Sequence, residues 1–118
     1  MVDLSVLDLS QLIRGKSFTV TSQVGKNGYS VRTNSLVDTG ANGHAFIDTA
    51  CAIDIAKFCQ AYAYPLKEAG YIKGYDGQTR KSVTHVIFLN LLIDGRRLAD
   101  IPFLITDLGQ HQIILGRK

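Results

Sequence analysis

Leu36-Val37-Asp38-Thr39-Gly40-Ala41 is the stretch on which the reading of this chain turns. Two apolar residues run into an aspartate, and a glycine stands two places on. That order marks a tight turn leaving a core, where glycine lets backbone or ligand approach closely. The tripeptide alone is a weak signal, since average usage gives Asp-Thr-Gly a chance of about two or three in a hundred in a chain of this length. Its plain alternative is an Asx turn, in which Asp38 bonds its own backbone. The surroundings have to decide.

Upstream, Phe18, Val20 and Val24 alternate with Thr19, Thr21 and Gln23, the pattern of a half-buried strand. Gly25-Lys26-Asn27-Gly28 supplies turn chemistry, and Tyr29 to Thr33 resumes the alternation before running on into Asp38, so the pair reads as a hairpin. Downstream, Ala45-Phe46-Ile47 predicts a short strand. From Thr49 to about Tyr62 the period changes: Cys51, Ile55, Phe58, Cys59 and Tyr62 share one helical face. Asp48 or Thr49 is the expected N-cap, and Tyr64-Pro65 ends the pattern.

The second half repeats the plan faintly. Gly70 to Thr79 is rich in glycine and tyrosine, Val83 to Ile93 is a long apolar run, and Asp94-Gly95 predicts a hairpin turn. Leu98 to Ile105 returns, with Pro102 expected at an edge or a bulge. A last apolar run, Ile113-Ile114-Leu115, closes on Gly116. Each half thus carries an x-Gly hairpin followed by a short apolar strand that ends at glycine. The expected architecture is mostly β, a closed or partly closed barrel with one helix.

Bulk properties limit the functions available. At 118 residues the chain is one domain by length and can bury roughly two thirds of its unfolded surface without a metal or disulfide. No run approaches the ~20 apolar residues of a membrane span. The segment from Met1 to Arg14 is apolar, but Asp3 and Asp8 interrupt it and no basic region precedes it, so it is not expected to be a signal peptide. The net charge of +3 is spread over separated pairs (Arg80-Lys81, Arg96-Arg97, Arg117-Lys118), which does not make a nucleic-acid-binding stripe. If the segment between them is helical, Cys51 and Cys59 lie ~12 Å apart along the axis. A disulfide needs less than ~7 Å, so free thiols and a reducing, intracellular (cytoplasmic) setting are expected. His44, His85 and His111 have no Cys or carboxylate at metal-ligand spacing, so neither a metal nor a cofactor is expected.

With these features in order, the chain resembles the retropepsin-like aspartic proteases. Leu36 to Ala41 looks like their active-site loop. Ile113-Ile114-Leu115-Gly116 is similar to the apolar strand and glycine that pack behind that loop, and Gly74-Tyr75-Asp76-Gly77-Gln78-Thr79 stands where the family has its flap hairpin. Order and spacing match from about Ser17 to Gly116, leaving residues 1–16 as an N-terminal extension and 17–118 as the protease-like domain. Gly74 to Gly77 and Ile101-Pro102-Phe103-Leu104-Ile105 resemble the protease segment of long-terminal-repeat retrotransposon Gag-Pol polyproteins, particularly the Ty3-like class.

The resemblance implies a closed acid-protease barrel and an endopeptidase acting on an extended polypeptide. Asp38 would be catalytic, Thr39 would lock the active-site loop across a dyad, and Gly40 would allow close approach. Ala41, Asn42 and Gly43 would meet substrate, and Tyr75, Asp76, Gly77 and Gln78 would close over it. One Asp-Thr-Gly per chain implies a homodimer, since the chemistry needs two carboxylates sharing a proton. Two departures from the family pattern stand out. Asn42 occupies a position that is often acidic, so Arg117 could at best donate to an amide rather than pair with a carboxylate. The sequence also stops at Lys118, before the helix and terminal strand that supply much of the family's dimer interface, so this chain is expected to be largely monomeric and weakly active at micromolar concentration. The rival expectation is a catalytically inactive remnant, a β-domain that binds peptides or only folds.

Overall fold

The computed structural model describes residues 17–38, 44–73 and 80–116. In chain order these form β1 (Ser17–Lys26), β2 (Tyr29–Asp38), β3 (Ala45–Asp48), α1 (Thr49–Cys59), β4 (Ala63–Lys73), β5 (Arg80–Ile93), β6 (Arg96–Thr106) and β7 (Ile113–Gly116). The sheet runs β1-β2-β7-β3-β6-β5-β4, and β1 also pairs with β5 through Ser22–Gly25 and Asn90–Ile93. That extra pairing closes six strands into a barrel and leaves β4 as an added strand along β5.

Local chemistry accounts for the hairpins. The tips Asn27-Gly28 (φ 55° and 85°) and Asp94-Gly95 (φ 51° and 74°) hold both central residues at positive φ. That is the primed turn geometry that matches strand twist and selects Asn-Gly and Asp-Gly. β3 and β7 are buried or half-buried at every residue, which explains why they read as unbroken apolar runs rather than alternating ones. Ile47 and Ile113 join the larger cluster, with Val24, Ile87, Leu89 and Phe103. Their neighbours Phe46 and Ile114 join a second one with Val83, Val86, Leu104 and Leu108.

Parallel and antiparallel pairings repeat in a way that the sequence only hinted at. β2 runs parallel to β7 (Ser35 beside Ile113, Asp38 beside Gly116), and β6 runs parallel to β3 (Phe103 beside Ala45, Thr106 beside Asp48). The second pairing is the first carried onto residue i+68, and the antiparallel contacts β3–β7 and β1–β5 map onto themselves. The barrel is therefore internally twofold, with β1-β2-β3 matching β5-β6-β7.

Three expectations need correction. The helix ends at Cys59 rather than near Tyr62, because Gln60 turns left-handed (φ 56°, ψ 41°) and Asn27 Nδ2 donates to the carbonyls of both Cys59 and Gln60 at 3.0 Å. These bonds from a distant hairpin tip satisfy carbonyls that a continuing helix would have used. Its buried face is Ala52, Ile55 and Cys59, while Phe58 is exposed and meets Tyr29 edge-on at 5.7 Å. Residues 63–73, where no strand was expected, form β4, whose register breaks between Pro65 and Gly70. Of the two places expected for Pro102, an edge or a bulge, the structure shows the bulge. The proline lies in β6 two residues past a bulge where Asp100 adopts φ 52°, and pairing with β3 starts only at Phe103, so a missing N–H there interrupts no β3 ladder bond.

Asp48 is the N-cap: its Oδ2 accepts from Ala50 N at 3.2 Å, and its Oδ1 accepts from Leu108 N at 2.9 Å. One carboxylate thus ties the helix start to the segment entering β7. Asp48→Ala is expected to cost about 2–3 kcal/mol in denaturant unfolding, and Asp48→Asn distinctly less, because a cap and a partly buried N–H lose their acceptor together. Equal losses in the two variants would contradict this.

Candidate active site

Asp38 is the last residue of β2, in register with Ser17 of β1 and Gly116 of β7. The chain next enters the described structure at His44, whose carbonyl accepts from Gly116 N at 2.8 Å. β7 therefore lies between the strand that leads to residues 39–43 and the strand that leaves them, bonded to both. Thr39, Gly40, Ala41, Asn42 and Gly43 lie outside the described residues, as do Tyr75, Asp76, Gly77 and Gln78. The arms flanking the latter group are described: β4 and β5 pair up to Lys73 and Arg80, so residues 74–79 join the ends of an antiparallel pair.

The internal twofold sets a second junction beside the first. Asp48 N donates to Gln112 O at 2.9 Å, the image of the Gly116–His44 bond. Thr106 holds the place corresponding to Asp38, and Asp48 that of Gly116. The two junctions differ in side chains: Asp48 pins the 107–112 segment through its carboxylate, whereas Gly116 has nothing to offer at the image position.

Beneath these ends the barrel holds a small polar cluster. Ser22 Oγ lies 2.9 Å from Thr33 Oγ1 and 2.7 Å from Ser35 Oγ, and all three residues are buried. Hydroxyls bonded to one another are neutral and satisfied, so the cluster locks β1 to β2 below Asp38 and provides no activated nucleophile. Thr106 Oγ1, by contrast, is buried with no partner. Thr106→Val keeps the shape and removes an uncompensated polar atom, so a gain of about 1 kcal/mol in unfolding free energy is expected. A clear loss would mean that the hydroxyl is satisfied in solution.

Other chemistries find little footing. Both cysteines are free thiols. Burial, then the carboxylates of Asp48 and Asp54, pushes the Cys51 thiol up from 9.0 to about 11, so it is protonated at neutral pH and a poor nucleophile. Among the described residues no group of His, Cys, Asp and Glu is placed to hold a metal, and no helix is long and apolar enough to cross a membrane.

Two concave surfaces, of about 520 and 550 Å³, lie not at Asp38 but around the other end of β2. The first is lined by Val24, Gly25, Tyr29, Leu91 and Leu98, the second by Lys26, Asn27, Gln60, Tyr62, Tyr64 and Phe88. Neither is a substrate cleft for a carboxylate at Asp38. No family model, no curated protein and no solved structure matches this chain.

Proposed function

We propose that the chain is a retropepsin-like aspartic endopeptidase, of the kind that processes retrotransposon Gag-Pol polyproteins, with Asp38 as its catalytic carboxylate. The observation that carries this reading is the position of β7, bonded both to the strand entering the Asp38 turn and to the strand leaving it. An aspartate at the end of a strand paired on both sides has its backbone held in place. Chemistry that depends on two carboxylates a few ångströms apart needs such rigidity.

In this reading two chains meet about a twofold axis, and their Asp38 carboxylates share one proton because like charges that close do not both ionise. The ionised carboxylate takes a proton from water as the water oxygen bonds to the scissile carbonyl carbon. The protonated one gives its proton to the carbonyl oxygen. As the tetrahedral gem-diol collapses, one hydroxyl returns its proton to the now ionised carboxylate, the C–N bond breaks, and the amine leaves with the proton held by the other carboxylate. Residues 74–79, at the end of the β4–β5 pair, cover an extended substrate that binds as an added strand.

The test is cleavage of extended peptides by the purified chain, with and without pepstatin. Below the dimer dissociation constant the initial rate should rise with the square of enzyme concentration, and its pH profile should be bell-shaped, bounded by the two ionisations of the dyad. A rate strictly first order in enzyme and indifferent to pepstatin would rule the reading out.

A further inference from the structure

We propose that the end of the barrel remote from Asp38 is a self-association face that docks a second copy of this chain. Five large aromatic side chains stand exposed there around one knot of hydrogen bonds, the Asn27 contacts to the Cys59 and Gln60 carbonyls. On one side Tyr29 (45% exposed) meets Phe58 (56%). On the other, Tyr62 (76%), Tyr64 (54%) and Phe88 (38%) line the 550 Å³ groove together with Asn27 and Gln60. Tyr64 and Phe88 also meet edge to face, 6.1 Å between ring centres. Exposed apolar side chains scattered singly are ordinary; two aromatic groups linked through the Asn27 bonds to the carbonyls after Phe58 mark a contact surface.

The area argues for the occupant. An aromatic side chain presents ~200 Å², so these exposures leave roughly 540 Å² of ring surface, near the top of the range for the largest patch on a monomer. Pairing the patch with itself about a twofold axis removes roughly 1,100 Å² from water, which reaches the ~1,000 Å² that a specific interface requires. A small ligand in the groove would leave Tyr29 and Phe58 uncovered. The charges allow self-pairing as well. The charged residues lining the groove, Lys26 and Asp100, neutralise each other at 2.7 Å, so two identical faces meet without like-charge repulsion.

This contact does not depend on the peptidase reading. Asp38 and Tyr29 are opposite ends of a ten-residue strand, ~30 Å apart. A chain using both ends would join catalytic pairs to one another through a second, independent isologous interface.

Sedimentation equilibrium of the whole chain tests the proposal, with wild type, Asp38→Asn and the double variant Tyr62→Ser/Tyr64→Ser compared at matched concentrations. The substituted tyrosines are exposed, and circular dichroism and thermal melts verify that the variant folds. Wild type and Asp38→Asn should both pass from one to two chain masses near ~100 µM, the weak regime expected for an interface at the lower size limit. The double variant should need at least about tenfold more protein. Association that the tyrosine substitutions leave unchanged, or that Asp38→Asn alone abolishes, would overturn the proposal. A wild-type chain that remains monomeric into the millimolar range would also overturn it and leave the face to a different protein.

Discussion

Asparagine in place of Asp38 is expected to reduce peptide cleavage by more than ~10³-fold while the barrel stays folded. In the proposed homodimer one substitution would remove both carboxylates, and with them the base that activates water and the acid that polarises the carbonyl; general acid–base catalysis alone contributes up to ~10⁴-fold. Asparagine matches aspartate in size and shape and leaves the backbone pairing with Ser17 and Gly116 untouched. Stability should be unchanged or slightly higher, because two carboxylates forced together are electrostatically strained and their removal relieves that strain. The check is a paired measurement: initial rates with and without pepstatin, and thermal melts of both proteins. Residual pepstatin-sensitive cleavage by Asp38→Asn would show that the chemistry lies elsewhere.

A second large effect is expected at the opposite end of the same hairpin. Gly25 is buried at the point where β1 pairs with β2 and β5 at once, facing Ser30 on one side and Asn90 on the other. A Cβ built on Gly25 would collide with the carbonyl oxygen of Tyr29 and approach Ser30 Cα to 3.0 Å. Both obstacles are backbone, so no side-chain rotation relieves the clash; the strands must part or the register must slip. Gly25→Ala should therefore destabilise the chain by about 3 kcal/mol or more and lower the melting temperature by roughly 10 °C or more. Gly28→Ala provides the contrast. Gly28 sits at φ 85° with nothing within 4 Å of a built Cβ, so only the conformational cost of about 1 kcal/mol applies. A Gly25→Ala protein melting within about 2 °C of wild type would refute the close strand approach. A larger loss for Gly28→Ala would do so too.

The candidate site was legible to different depths in its parts. Asp38 after two apolar residues announced a strand end, and the Ile113–Gly116 run announced a strand that closes on glycine; both strands stand in the structure, side by side, while the turn expected after Asp38 lies outside the described residues. Their adjacency, however, joins residues 78 apart, and no local pattern carries such a pairing. Asp48 was legible as a cap to α1, since an acidic residue before a helical period is a local signal. Its second bond, to Leu108, was not, because the partner belongs to a segment 60 residues away.

What the sequence determined by itself was whatever two or four neighbouring residues decide. Asn27-Gly28 and Asp94-Gly95 select their turns by their own tolerance of positive φ, and alternation or apolar runs select strands by which faces can be buried. The tertiary structure alone decided the rest. The helix stops at Gln60 because Asn27 arrives from another hairpin to bond its last carbonyls, overriding a periodicity that continued to Tyr62. Residues 63–73 become β4 because the long β5 offers them an edge, although Pro65 and the Lys67-Glu68 pair argue locally against a strand. The barrel closes where β1 meets β5, and β7 enters between β2 and β3, through bonds between groups far apart in the chain. Hydrogen-bonding capacity is the same at every backbone position, so it carries no address; which distant strand satisfies it is settled only when the apolar faces are buried together.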